Sequence, residues 1–286
     1  MTAAASAGAG NRSNAVQDAL IFLFVPGDRP ERFAKALAAG ADAVVLDLED
    51  GVTPERKALA RDGIAQAASA IEQAPCPVLV RVNPAGTPFH AGDLRLVAAL
   101  PVAGVVLAKA ESEESALAVA DGAGKDRAVI ALIESAAGLA SARSIAGITT
   151  RLAFGSIDYA ADIGCSHTRE ALLAARSELV LASRLAGHAG PIDGVTPSFQ
   201  DEALVEADAA HAASLGFTGK LLIHPAQMAP AVRGFAPSAD EIAWAKRVLS
   251  ATRDGGAAAV DGAMVDLAVR LRAEQIMGRA ARASTH

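Results

Sequence analysis

The sequence predicts an α/β protein built as a closed (β/α)8 barrel with a C-terminal extension. Three observations carry that expectation. Eight short apolar runs alternate with helical patterns along the chain. Their starts lie roughly 24 to 39 residues apart, the spacing of strand–helix units. The first run lacks the glycine fingerprint that an open, doubly wound sheet usually carries at that point. A barrel of this kind needs about 250 residues. The 286 residues here, 52% of them hydrophobic, suffice for it and for a large core.

Residues 1–18 are expected to be a disordered tail, 19–254 the barrel and 255–286 an arm. The opening M-T-A-A-A-S-A-G-A-G-N-R has neither the basic start nor the apolar centre of a secretory signal. Ala19–Val25 reads as the first strand, and the helix after it closes at Gly40. Ala43–Leu48 is the second strand. A long helix over Pro54–Gln73 follows, with Thr53 as its cap and proline at its first position. Strands are expected at Pro77–Val82, Gly104–Lys109, Ala128–Ile133, Leu152–Phe154, around Pro191–Gly194, and at Lys220–Ile223. Helices are expected at Arg169–Gly187, Phe199–Leu215 and Asp240–Thr252, and an acid-rich first turn, E-S-E-E-S-A-L, opens the one after the fourth strand. The remaining A-A-A-V and amphipathic helix fall outside the eight units. They suggest an arm that packs on a neighbouring subunit.

A net charge of -6 without a long basic run argues against nucleic acid as a partner. No 18-residue run escapes glycine, proline or charge, so no membrane helix is expected and the reading is a soluble, cytoplasmic protein. Cys76 and Cys165 form no C-x-x-C pair and read as reduced, small side chains rather than a disulfide.

Active sites of such barrels lie at the C-terminal ends of the strands. Here every strand end carries polar residues: P-G-D-R-P (26–30), D-L-E-D-G (47–51), R-V-N (81–83), K-A-E (109–111), E-S (134–135), F-G-S-I-D (154–158), D-G (193–194) and I-H-P-A-Q (223–227). Glu134 and Asp158 sit at or just past the ends of neighbouring apolar strands. A carboxylate there is costly unless a cation meets it, and two together suggest a divalent metal with oxygen ligands. The alternatives are that Glu134 caps the following helix and that Asp158 pairs with a basic side chain. Arg81, near the end of a buried strand, must meet an anion. That anion is a substrate carboxylate or a structural partner such as Glu49 or Asp50. Strand alternation puts Asp47 and Glu49 on one side, where Glu49 could orient Arg81 or a metal-bound water. Lys109 reads as an ion-pair partner of Glu134, or as a contact to the substrate. His224 reads as a residue hydrogen-bonded under its loop, with acid–base work as the alternative. His167, His188 and His211 have no ligand spacing and are expected to be exposed.

In order, L-F-V-P-G-D-R-P-E, D-L-E-D-G-V, R-V-N, L-I-E-S, F-G-S-I-D and K-L-L-I-H-P-A-Q resemble the citrate lyase β-subunit family within the HpcH/HpaI aldolase group. The resemblance covers about residues 20 to 275 and implies a TIM barrel, Mg²⁺ (Mn²⁺ as an alternative) and reversible C–C cleavage of a 3-hydroxyacyl thioester. It implies Glu134 and Asp158 as metal ligands and Arg81, Glu134, Gly155 and Arg29 as substrate contacts. Catalytic roles fall to Arg81, Glu49 and Asp266. Asp266 ends D-G-A-M-V-D and matches the position of an acid that reaches a neighbouring subunit's site. The implied substrate is a citryl, citramalyl or malyl thioester of CoA or of an acyl-carrier protein, and the implied assembly a homotrimer. Three alternatives stay open: a CoA-free 4-hydroxy-2-oxo acid aldolase, a malyl-CoA thioesterase, and a non-catalytic subunit of a citrate lyase complex.

Overall fold

The structure, a computed structural model, describes residues 15–124, 126–252, 258–260 and 263–284. Eight parallel strands close into a barrel in sequential order. They are β1 (Ile21–Pro26), β2 (Ala43–Asp47), β3 (Val78–Val82), β4 (Gly104–Leu107), β5 (Ala128–Ile133), β6 (Arg151–Phe154), β7 (Ile192–Asp193) and β8 (Gly219–Leu222). Pairing of β1 with β8, Phe22 opposite Leu221, closes the ring. Asp47 lies opposite Arg81 and Ile133 opposite Phe154, so the polar tips emerge at one end.

Two apolar layers follow from strand alternation. Inward positions such as Phe22, Val45, Leu79, Val106, Ile130, Leu132, Ala153 and Leu221 fill the barrel. Outward ones such as Leu23, Leu46, Val80, Leu107 and Ile133 pack under the helices. The helices are α1 (Phe33–Leu37), α2 (Lys57–Gln66), α3 (Ala68–Glu72), α4 (His90–Ala99), α5 (Glu113–Ala123), α6 (Ala136–Ala140), α7 (Ala142–Ala146), α8 (Ser156–Ile163), α9 (Leu173–Leu185), α10 (Glu202–Leu215), α11 (Met228–Phe235), α12 (Ala239–Ala251) and α13 (Leu267–Ala283). Side-chain caps start several of them: Ser112 for α5, Asp201 for α10, and Ser238 in a reciprocal pair with Glu241 for α12. No helix among the described residues is long and apolar enough to cross a membrane.

Several boundaries differ from the sequence reading. The single helix expected over Pro54–Gln73 is a 3-10 turn (Pro54–Arg56) followed by α2 and α3, and the Thr53 side chain makes no cap bond. Asp158 is not on a strand end but in the first turn of α8, which begins one residue after Gly155. Within the stretch expected as tail, residues 15–18 form a helical turn and Val16 is fully buried; residues 1–14 lie outside the described ones. That turn covers the bottom of the barrel together with Arg151, whose fully buried guanidinium donates to the carbonyls of Val16, Ala19 and Gly190 and to Thr218 Oγ1.

In the C-terminal segment, β9 (Ala258–Val260) and β10 (Ala263–Val265) form an antiparallel pair ahead of α13. The first residues of the expected arm, 255–257, lie outside the described ones. α13 packs on α12 of its own chain through Ala273, Ile276, Ala245 and Val248. Met264, Leu267 and Leu271 remain exposed.

Candidate active site

At the C-terminal end of the barrel lies a cavity of about 350 Å³, walled by Phe24, Leu132, Val195 and Leu221 and carrying Asp47, Asp50, Arg81, Glu134, Ser156 and Asp158. The turn after β2 builds one side of it. Asp47 Oδ1 accepts the Glu49 amide at 2.8 Å and Asp47 Oδ2 the Gly51 amide at 2.9 Å, so the turn winds around a single carboxylate. The same oxygens accept Arg81 Nε and Nη2, both at 2.7 Å. Glu49 Oε2 sits 3.0 Å from Arg81 Nη1. The guanidinium also lies 4.8 Å from the Phe24 ring centroid. Every guanidinium nitrogen therefore meets a carboxylate, and Nη1 and Nη2 each carry a second N–H beyond these contacts. Burial opposes ionisation of Asp47, but the Arg81 charge and its hydrogen bonds outweigh it and hold the carboxyl below its ordinary value. Burial raises Glu49, with Arg81 acting against it.

Arg81's bidentate partner is thus Asp47, not Glu49 or Asp50 alone. Glu49 is buried behind the guanidinium and is not among the residues that line the cavity. Lys109 pairs its ammonium with Glu49 at 3.6 Å, whereas the sequence favoured Glu134 as its partner. Its backbone N–H is what reaches Glu134 Oε1, at 2.7 Å. Lys109 adopts a left-handed φ of 47°, a strained conformation for a residue with a side chain.

Glu134 is 3% exposed, and among the described residues it has no ion-pair partner. Burial pushes its carboxyl up to about 8, against the Lys109 amide and the Arg81 charge, which favour the ionised form; Glu49 and Asp158 add to the rise. Gly155 makes its position feasible: a Cβ there would lie 2.3 Å from Glu134 Oε2. Asp158 reaches the same cavity from the first turn of α8. Among the described residues no group of three or more His, Cys, Asp and Glu could hold a metal. Two carboxylates, one of them buried without a salt-bridge partner, nevertheless fit a hard divalent cation that keeps several waters.

The other candidates lie apart. Arg29 is exposed, 3.9 Å from Asp28, and does not line the cavity. Asp266 caps α13 by accepting the Val269 amide at 2.9 Å and is exposed, away from its own chain's cavity lining. His224 stacks on Phe199 and accepts the Ala226 amide, a loop role. His167 is exposed, but its Nε2 lies 3.0 Å from the cavity-lining Ser156 Oγ. His188 and His211 are half-buried rather than exposed. Asp193, at the tip of β7, is held by Arg176 and Lys220, so this acid is structural. Sequence reasoning named Ser156 only within the F-G-S-I-D tip, without a role, and missed the buried Lys57. The only hint of Lys57 was its place six residues beyond D-L-E-D-G, in the first turns of the helix expected there.

The family model for HpcH/HpaI aldolase/citrate lyase matches residues 20–225. The chain belongs to this family. The family is one of carbon–carbon lyases, and relatives of this chain include a (3S)-malyl-CoA thioesterase of Cereibacter sphaeroides. The chain is 38% identical over 274 residues to a citrate lyase subunit beta-like protein of Mycobacterium tuberculosis, covering 92% of this chain and 96% of that one. It is 33% identical over 297 residues to an L-malyl-CoA/beta-methylmalyl-CoA lyase of Cereibacter sphaeroides, covering 90% and 93%. Among solved members, CitE of M. tuberculosis in complex with magnesium, acetoacetate and coenzyme A superposes with a TM-score of 0.81 at 36% identity, over 92% of this chain and 98% of that one.

Proposed function

We propose that this protein is a Mg²⁺-dependent lyase that cleaves a 3-hydroxyacyl thioester of the citryl, citramalyl or malyl type into an oxo acid and an acetyl thioester. The observation that carries the reading is Glu134: a buried carboxylate with no salt-bridge partner among the described residues, facing a cavity with Arg81 on one side and Asp158 on another. The magnesium and coenzyme A complexes of relatives support the cofactor and the thioester carrier.

Glu134 and Asp158 would hold the cation. Bound there, it supplies Lewis acidity that favours loss of the substrate's hydroxyl proton and offsets negative charge on oxygen. The chain's own residues do the rest. Arg81, pinned by Asp47 and Glu49, offers its remaining N–H groups to the carboxylate and developing oxo group of the substrate; such preorganised donors are usually the largest catalytic contribution. As the hydroxyl proton passes to water in the cavity, its oxygen forms the new C=O, the C2–C3 bond breaks, and its electron pair passes to the thioester enolate. A proton must then reach the enolate carbon. Asp266 of a second copy of the chain, in a homotrimer, is the donor proposed here. Arg29, at the turn into the first helix, is the proposed contact for the thioester carrier.

The test is purified protein with Mg²⁺ and a panel of acyl-CoAs, beside Glu134→Ala. Wild type should release acetyl-CoA, and Glu134→Ala should release none while keeping a cooperative melt, which shows an intact fold. Full activity in Glu134→Ala removes the reading. Free CoA in place of acetyl-CoA indicates a thioesterase, and turnover of a CoA-free 4-hydroxy-2-oxo acid alone an aldolase. Inertness with capture of an acyl-carrier protein indicates a subunit of a larger lyase.

A further inference from the structure

Behind the cavity wall lies a second polar assembly that the proposed reaction does not use. Lys57, the first residue of α2, is only 5% exposed. Its ammonium donates to the carbonyls of Leu48 and Glu49, each at 2.8 Å, and stands 5.5 Å from the Phe89 ring centroid. Among the described residues no carboxylate lies within salt-bridge distance of it. A buried cation whose only hydrogen bonds go to main-chain oxygens is costly even with the charges of Asp47, Glu49 and Asp93 nearby, and an apolar side chain of the same length would avoid that cost. Its two carbonyls belong to the turn that carries Asp47 and Glu49. The turn is gripped from the other side as well. Asn83 Nδ2 donates to the Leu48 carbonyl at 2.8 Å and to Asp93 Oδ2 at 2.6 Å. Asp93, fully buried, is itself held by Arg61 Nη1 at 2.9 Å.

We infer that Lys57 is a positioning residue for Arg81, acting through the Leu48–Glu49 turn. The chain of contacts is continuous. Lys57 fixes the carbonyls of Leu48 and Glu49, which fixes the direction in which Asp47 and Glu49 project into the barrel. Those two acids take all three Arg81 nitrogens. Leu48, between them, packs outward under the helices, so a rotation of the turn displaces both acids together. Lys57 never enters the cavity; its effect on chemistry is the orientation of one guanidinium.

The activity part of the test rests on the lyase reading; the structural part does not. Lys57→Met keeps the length of the side chain and removes its donors. Its kcat should fall about 10- to 100-fold, the scale of a misplacement near 1 Å. Its Mg²⁺ requirement should not change, because Glu134 and Asp158 come from β5 and α8. The same substitution added to Arg81→Lys should cost less than about threefold further, since residues in one network are not additive. A full, additive loss overturns the inference, as a structural role alone would produce. A crystal structure of Lys57→Met gives a readout free of turnover: a guanidinium displaced from Asp47 supports the inference, and one left in place overturns it. If wild type cleaves no thioester, the lyase reading fails and the crystal structure still decides this one. Should Lys57→Met not fold, Lys57→Leu, which likewise removes the donors, carries the same measurements.

Discussion

Glu134 binds a proton more tightly in the folded chain than in the unfolded one, and a pH dependence follows. Burial lifts its carboxyl from 4.5 to about 8. Between those values the folded protein keeps a proton that the unfolded chain releases, so this group's contribution to stability is complete below about pH 4.5 and lost as pH rises towards 8. Without metal, the melting temperature should fall across that window. Added Mg²⁺, which needs the ionised carboxylate, should restore more of it the higher the pH. Melts from about pH 5 to pH 8, with Mg²⁺ and with chelator, check this, and Glu134→Gln should flatten the metal-free slope. A wild-type slope no steeper than that of Glu134→Gln contradicts it. At this scale the sequence was informative where a charge ended an apolar run: Glu134 and Arg81 stood out because a strand interior would not choose them. It was silent on pairing. Asp47 and Glu49 share a face by alternation, and nothing in the chain told which would take the bidentate bond, because that depends on the register of β2 against β3.

The junction of β6 and α8 places a glycine where the site has no room for more. Its φ of -82° suits any residue, so the need for glycine is contact rather than backbone strain. A methyl on Gly155 would lie 2.4 Å from Glu134 Cβ as well as against its carboxylate. Gly155→Ala should therefore push Glu134 aside and weaken Mg²⁺ binding at least about tenfold, on the scale of lost support around a metal ligand. Calorimetric titration with Mg²⁺ measures it; unchanged affinity would mean that Glu134 is not a ligand. The same junction shows why α8 was not legible. Its S-I-D-Y-A-A-D-I starts without a turn or a side-chain cap, so the acid at 158 read as the tail of a strand. α11, M-A-P-A-V-R-G-F, was hidden by proline and glycine, which local propensity counts against a helix. Both have tertiary reasons. Pro230 lies in the first turn, where its missing N–H costs nothing, and a Cβ at Gly234 would lie 2.4 Å from the Glu206 carbonyl of α10.

The barrel itself was legible because its evidence is repeated eight times, so misplacing any one boundary leaves the count intact. Its assembly is a different matter, since one chain's sequence says little about what covers its surface. The proposed role of Asp266 makes a demand on the whole assembly. The residue caps α13, and Asn caps about as well as Asp. Asp266→Asn should therefore keep the melting temperature and lose activity. If the acid serves a neighbouring chain, mixing Asp266→Asn with Glu134→Ala and allowing subunits to exchange should regenerate activity from two inactive proteins. The maximum is a fraction of wild type set by the chance of pairing a whole cavity with a whole arm. No recovery after verified exchange would place the proton donor within the chain.

The cation at the foot of the barrel governs when the molecule can be finished. Arg151 is hydrogen-bonded to Val16 and Ala19, 135 and 132 positions earlier, and to Gly190 and Thr218, 39 and 67 positions later. None of these partners is local, and contacts of such separation form late. A chain emerging from the ribosome carries Arg151 long before β8 exists, and must keep that guanidinium in water until both ends of the ring meet. Bonds of this kind are expected to close after the rate-limiting step, as a latch. Arg151→Met should leave the refolding rate nearly unchanged and make unfolding faster, so that only the unfolding arm of a denaturant rate plot moves. The resting protein would look the same, and its lifetime would be shorter.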